Sequence, residues 1–370
     1  MAGNELIPAL DPMPVPGPLW LYHVLWVVTF LIHILLVNAV LGGSVIAAWA
    51  GTARADRRRT VELLLRVNTW AIPLSITFGI APLLFVQVVL GRFFYTAALL
   101  VPWWWLGLLG LLMVGYYLNY LAKWRLARGE GVRPWLVLQA VCFLLVTLIQ
   151  VVVNLLHMQP QRWEAAAGGL AGALADPTLI PRFLHFLLAA LAMVGAMVAW
   201  VAVRQAARGV AAGERQELEG MAHFGVKFAL YATLLQLIDG FWLLFALPEE
   251  VLKGFMRSGP AAMIPLTLGI LAGVLLLVFL AQVHDPLAQG GKVRRALELV
   301  VAATAVMVIT RHQVREVYLA PARAAEELIT TAPWGLIALF LVIFVAGVAT
   351  TVYAMVRAAT DRPAPGEQAA

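Results

Sequence analysis

Cysteine is almost absent from this chain: only Cys142 occurs, and it lies inside an apolar run. A lone thiol excludes an intrachain disulfide, a thiolate metal cluster and a CxxCH attachment for a covalently linked cofactor. Charge is nearly as scarce, with Asp, Glu, Lys and Arg supplying 12% of the 370 residues while 62% are hydrophobic. That balance excludes both an ordinary soluble core and a solvated disordered chain. No polar stretch is long enough for an appended soluble module, because the gaps at 158–180, 204–222, 248–262, 284–295 and 319–332 are all short. The start, MAGNELIPALDPMPVPGP, lacks the basic n-region and short h-region of a cleaved leader. The first apolar run is therefore expected to be a retained span. No internal repeat stands out.

What the chain has in quantity is long apolar runs. Runs of roughly 20 residues or more, the length that crosses a bilayer as a helix, occur at 19–49, 68–94, 101–122, 134–157, 181–203, 223–247, 263–283, 296–318 and 333–356. They predict an all-α integral membrane protein, multi-pass in the lipid bilayer, with nine transmembrane helices in a single domain over 1–370. The loops at 54–66, 123–133, 204–215, 292–295 and 357–362 hold roughly twice the Lys and Arg of the opposite connections, so they are assigned to the cytoplasm by the positive-inside rule. The amino terminus is then outside and the carboxyl terminus cytoplasmic. This loop bias also accounts for the net charge of +6, and nucleic acid is not expected as a partner. Trp103, Trp104 and Trp105 stand where an interfacial aromatic belt would.

With that orientation, five of the seven histidines, His23, His33, His157, His185 and His312, fall in the outer half of the spans. Ionisable residues inside hydrocarbon are functional candidates, and a one-sided set of imidazoles points to haem. His33 and His185 are the strongest candidates, since neither is at a loop and neither has a sequence-local polar partner. His157 continues a stripe with Gln150 and Asn154 at helical spacing, which reads equally as interhelical hydrogen bonding or as a haem edge. His312, flanked by Arg311 and Arg315, either holds an iron with its propionates or pairs with Glu316. His23, among Trp20, Tyr22 and Trp26, reads as an interface anchor, and His223 and His284 lie at the cytoplasmic boundary. Asp239, three residues after Gln236, is a candidate proton carrier or a helix-packing hydrogen bonder. Gln87 lies one turn before Gly91, and Arg92 follows as a further cationic candidate for the cofactor. Pro73 and Pro82 are expected to kink the second span, while Gly42 and Gly43 would allow close helix approach in the first.

These residues also resemble a family, subunit I of the cytochrome bd quinol oxidases, nearly end to end. His33-Ile-Leu-Leu-Val37 followed by Leu41-Gly42 looks like the family's opening helix, whose histidine binds the oxygen-reactive haem. The segment from Gly79 to Gly91 matches its G-[VI]-A-x5-E-x3-G pattern, with Gln87 where the family has a haem-site glutamate. His157-Met158-Gln159-Pro160 resembles its W-M-Q-x-P loop. Asp176-Pro177 and then Arg182-Phe183-Leu184-His185 is similar to its N-P followed by K-F-V-H, whose histidine ligates the low-spin haem b. The family's methionine ligand finds its nearest match in Met263, and its GRQPW segment in Arg311-His312-Gln313-Val314-Arg315, which puts Ile309 in place of a ligating glutamate.

The resemblance implies a bd-oxidase-subunit-I-like bundle in a prokaryotic cytoplasmic (inner) membrane, carrying one to three haems b, or a haem d-type or high-spin haem at His33. It also implies a second membrane subunit. The iron-binding set is then His33, His185, Met263 and His312, with His157, Arg92, Arg311 and Arg315 around the cofactor. His33 and Gln87 stand at the catalytic position. The long external quinol loop of the family is reduced here to 248–262. Gln87 and Ile309 together remove two carboxylates from the region where the family reduces oxygen. Two functions therefore stand side by side. One is a divergent bd-type terminal oxidase subunit I. The other is a non-oxidase haem b anchor relaying electrons between quinol, or a partner, and an external c-type cytochrome. A non-redox role leaves the one-sided histidines unexplained.

Overall fold

The computed structural model describes residues 7–9, 13–323 and 329–360, which fall into two compact units. The larger comprises the stretch up to Leu10 and Val24–Glu326. Its long helices are α1 (Leu19–Ala50, entering the unit at Val24), α2 (Ala55–Leu100), α3 (Pro102–Ala127) and α4 (Arg133–Met158). Two short turns, α5 (Trp163–Ala167) and α6 (Leu170–Leu174), lead to α7 (Leu179–Ala206), α8 (Ala212–Ala246), the short α9 (Glu249–Arg257), α10 (Pro260–Ala281) and α11 (Gly290–Arg323). The smaller unit, Asp11–His23 and Glu327–Ala370, holds the first turn of α1 and His23. It also holds α12 (Trp334–Thr360) and a two-residue parallel pairing of β1 (Val15–Pro16) with β2 (Thr330–Thr331).

Local sequence sets the helix limits. Proline occupies the first turn of α3, α4 and α10, where its missing N–H would have had no intrahelical partner. Gly129 and Gly259, at φ of 73° and 75°, follow the ends of α3 and α9 and take the left-handed conformation that releases the chain from a helix. Eight helices among the described residues are long and apolar enough to cross a membrane, so this is a multi-pass membrane protein. α11 matches them in length, at 34 residues, but carries the charges of Arg311, Arg315 and Glu316 in its second half. α2 is longer than the apolar run within it: 46 residues at about 1.5 Å each come to about 69 Å, more than twice a hydrocarbon core of about 30 Å. Its backbone leaves helical φ/ψ at Leu90, not at Pro73 or Pro82 as the sequence leads one to expect. The carbonyl that Pro73 cannot bond, Thr69 O, lies 3.5 Å from the Tyr116 hydroxyl of α3.

Small residues let the central helices touch backbone to backbone. A Cβ on Gly195 of α7 would lie 2.6 Å from Ala229 N, and one on Gly225 of α8 would lie 2.6 Å from Gly195 O. Gly42 of α1 faces α7 in the same way, its would-be Cβ colliding with the Ala190 carbonyl, the close approach its sequence suggested. Polar side chains then link helices where no water competes. Asn68 Nδ2 donates to Ser44 Oγ at 3.1 Å, Gln139 Nε2 to Asn119 Oδ1 at 3.1 Å, and Asn119 Nδ2 to Leu65 O at 3.1 Å. The result is a fixed frame in which α1, α7, α8, α10 and α11 surround a cavity.

Candidate functional site

The α7 and α8 contact positions the best-defined histidine. His185 Nδ1 lies 3.1 Å from Asp239 Oδ2, and Asp239 is only 5% exposed. A carboxylate accepts, so Nδ1 carries the proton and donates, leaving the lone pair on Nε2. That is the arrangement by which an outer carboxylate orients a metal-binding imidazole. Glycine at 240 keeps the next position clear, since a Cβ there would sit 3.4 Å from His185 Cε1. The second oxygen of Asp239 is buried without a hydrogen-bond partner.

His185 opens onto a cavity of about 250 Å³. Its walls are apolar, with Phe30 and Ile34 from α1, Leu266 and Ile270 from α10, and Phe255 from α9. On α11 the lining runs from Val300 to Val314, about 21 Å along the axis at about 1.5 Å per residue. The polar lining includes Arg182, Gln236 and Arg311, with Asn38, Thr233, Thr304 and Thr310. A thioether also faces this space: Met307, whose Sδ would be 2.5 Å from a Cβ on Gly269. Sequence reasoning misses Met307, although its spacing of four from Arg311 puts both on one face of α11. Met263 lies outside the lining, one turn before Leu266 on the same face of α10.

His33 is fixed by a different device. Its Nδ1 lies 2.8 Å from the Ser75 carbonyl of α2, which again puts the ring proton on Nδ1 and the lone pair on Nε2. The ring occupies the space a side chain at 79 would need, a Cβ on Gly79 falling 2.8 Å from His33 Cε1. Gln87 is half-buried on α2, eight residues beyond Gly79 and so about 12 Å along the helix. Arg92 Nη1 donates to the Pro8 carbonyl at 3.0 Å, and its guanidinium lies 4.9 Å from the Phe93 ring.

Between these histidines lies a group of arginines. Arg315 stacks 3.9 Å from the Trp26 ring and Arg311 4.5 Å from the Phe30 ring, a cation–π ladder joining successive turns of α11 and α1. Arg315 Nη1 also lies 3.4 Å from His312 Nδ1. The His312 ring packs edge-on to Trp26 at 5.4 Å, with its Nε2 4.0 Å from Glu316. Arg182 is buried beside Tyr318. The nearby acids are shared: Asp176 pairs with Arg162 and also acts on Arg182, Glu316 pairs with Arg323 and also acts on Arg315, and Asp239 pairs with His185. His157, at the end of α4, is 3% exposed and faces Arg315, Arg311 and Arg182.

The connection from His157 to α7 is ordered by Asp176. Its carboxylate accepts from Gln159 Nε2 at 2.6 Å, Arg162 Nη1 at 2.5 Å, and the amide and hydroxyl of Thr178 at 2.7 and 2.6 Å. Burial alone would push this carboxyl up. The hydrogen bonds from Thr178 and Gln159 and the charge of Arg162 outweigh it and hold Asp176 below its ordinary value. Four residues beyond Thr178 comes Arg182, then His185, so the loop sets the register in which both meet the cavity.

No protein-family model matches the sequence, and no curated protein sequence does. The fold has solved counterparts: the chain is similar to one from the structure of bd oxidase from Geobacillus thermodenitrificans, with a TM-score of 0.74. Identity is 15%, and the match covers 95% of this chain and 100% of that one. The architecture is thus that of a bd-oxidase-like membrane bundle.

Proposed function

We propose that this chain is the haem-bearing membrane subunit of a respiratory electron-transfer complex, divergent from the cytochrome bd-type oxidases, with a haem b in the cavity on His185. The His185–Asp239 pair carries the reading: a buried carboxylate fixes the tautomer that leaves Nε2 for iron, at the wall of an apolar cavity. Arg182 and Arg311 on the same wall would offer cations to its carboxylates, and Met307, which lines the cavity where Met263 does not, would offer a sulfur ligand. The residues present therefore fit the group. When bound, haem supplies one-electron transfer at a potential its axial ligands set. The chain's own part is to hold the His185 Nδ1 proton on Asp239, to exclude water with Phe30, Ile34, Leu266 and Ile270, and to offset the carboxylates with arginine. His33, tied to Ser75 O, would serve a second iron, of the d-type or high-spin class, with Gln87 about two turns beyond Gly79 along α2.

In this reading α11 is the ninth transmembrane helix, the amino terminus is outside, the carboxyl terminus is cytoplasmic, and the membrane is a prokaryotic inner membrane. A second membrane subunit completes the complex. A specific observation favours the second function, the non-oxidase haem b anchor between quinol or a partner and an external c-type cytochrome. Neither Gln87 nor Ile309 ionises, and Ile309 is 40% exposed, so the site lacks two proton-carrying groups.

The optical spectrum of the purified chain with and without carbon monoxide separates the two. A high-spin or chlorin-type haem that binds carbon monoxide supports the oxidase, and low-spin b bands indifferent to it support the anchor. Absence of haem rejects both. His185→Ala is expected to remove a low-spin haem, and a variant that keeps every haem band refutes the assignment.

A further inference from the structure

A second cavity, of about 570 Å³, lies where α2 and α8 begin and α7 ends. Gln205 on its wall stands 20 residues after His185 on α7, about 30 Å along the helix. Nothing in it belongs to the candidate haem site.

Its lining is largely charged. Arg58, Arg59 and Arg66 of α2 and Arg208 beyond α7 bring four guanidinium groups, against the three carboxylates of Glu62, Glu214 and Glu217. The carboxylates are already paired: Glu62 with Arg58 at 3.0 Å, and Glu214 and Glu217 with Arg59 at 2.7 and 3.6 Å. Arg66 and Arg208 are left over. Both are exposed, and neither guanidinium has an ion pair or hydrogen bond with another described residue. The cavity therefore carries an uncompensated positive charge and two open guanidinium forks, the groups best suited to grip a phosphate.

One face of α2 runs out of this cavity into the membrane. At 3.6 residues per turn, the lining positions 55, 58, 59, 62 and 66 share a sector of about 120° with Trp70, Ile76, Ile80 and Leu84. All four of those apolar side chains are exposed, Trp70 by 70%. The apolar run of α2 starts at 68, so the boundary between headgroups and hydrocarbon falls between Arg66 and Trp70, one turn apart. A cation and an indole are the side chains that settle at such a boundary.

An occupant that uses both features is an amphiphile. A free phosphate answers the arginines and leaves the stripe unused. A zwitterionic phospholipid brings an ammonium whose carboxylate partners are taken by Arg58 and Arg59, and it leaves the excess charge in place. A phospholipid with one phosphodiester charge and a polyol headgroup neutralises the excess, offers hydroxyls to the glutamates and Gln205, and lays its chains along α2.

We propose that this cavity binds an anionic phospholipid of the phosphatidylglycerol class, its phosphodiester held by Arg66 and Arg208 and its chains along Trp70, Ile76, Ile80 and Leu84. Basic pockets between transmembrane helices on the cytoplasmic side recruit such headgroups. The site stands whether or not the chain carries haem.

The test reconstitutes the full chain in phosphatidylcholine bilayers doped with phosphatidylglycerol or phosphatidylethanolamine bearing brominated chains, which quench tryptophan on contact. The part due to Trp70 is the difference between the native chain and Trp70→Phe. Each arginine near a membrane surface is worth about 5-fold in affinity for an anionic lipid, so the native chain should prefer phosphatidylglycerol at Trp70 by about 30-fold. Arg66→Gln combined with Arg208→Gln should abolish that preference, and inorganic phosphate at matched ionic strength should leave the native preference unchanged. Equal quenching by the two lipids in the native chain overturns the proposal, as does a preference that the double variant keeps. Displacement by inorganic phosphate makes this a soluble-anion site and overturns the lipid assignment. If the double variant does not accumulate, Arg208→Gln decides: a preference reduced about 5-fold supports the assignment, and an unchanged one overturns it.

Discussion

Replacing Asp239 by asparagine tests the candidate site at its least visible member. The amide keeps the shape of the carboxylate and still offers an oxygen to His185 Nδ1, which lies 3.1 Å from Asp239 Oδ2 in the native chain. What disappears is a negative charge that is only 5% exposed and therefore poorly screened. A hydrogen bond to a charged group is worth about 1.5–3 kcal/mol and a neutral one about 0.5–1.5, so the bond itself weakens by about 1 kcal/mol. The further loss of electron donation to the imidazole brings the expected drop in haem affinity to about 10–100-fold, the range seen when outer partners of metal-binding histidines are removed. Less negative charge near the iron also destabilises its oxidised form, so the midpoint potential should rise. Haem titration of the apoprotein and a redox titration followed at the low-spin band measure the two effects. A folded Asp239→Asn variant with unchanged affinity and potential would refute the argument that Asp239 acts through His185.

Gly79→Ala drives a methyl to within 2.8 Å of His33 Cε1, which should cost about 1–3 kcal/mol in overpacking, against a gain of up to about 1 kcal/mol in helix propensity. The expected result is a modest fall in melting temperature with selective loss of the His33-dependent haem signal and retention of the His185 band. At Asp176 the lowered carboxyl contributes stability that is fully present above the ordinary aspartate value of about 3.9 and is lost as pH falls through the lowered folded value. Asp176→Asn should therefore flatten the acid limb of the melting-temperature profile while lowering stability at neutral pH.

The helices were legible because the signal that creates them is local. The run at 19–49 became Leu19–Ala50, and 134–157 became Arg133–Met158. α2 and α8 start 13 and 11 residues before their apolar runs at 68 and 223, at Ala55 and Ala212, because their charged first turns have no hydropathy signature. The sequence singles out His185 and Asp239 separately, yet 54 residues divide them, and only the packing of α7 on α8 pairs them. Ser75 had no signal at all, since its contribution to His33 is a backbone carbonyl. Met307 was hidden among the apolar residues of α11, which look alike until the cavity distinguishes their faces.

The backbone nature of the His33 anchor has a consequence for genetics. Any small residue at 75 presents the same carbonyl, so Ser75→Ala would leave the anchor intact, the hydroxyl being spent on Ile72 O within its own helix, and only the size limit of a buried position would show. The constraint is displaced to Gly79, which touches the imidazole only by having no side chain. In a population of drifting sequences, the mark of this histidine's partner would be a glycine one turn away from it, and the partner itself would leave no trace.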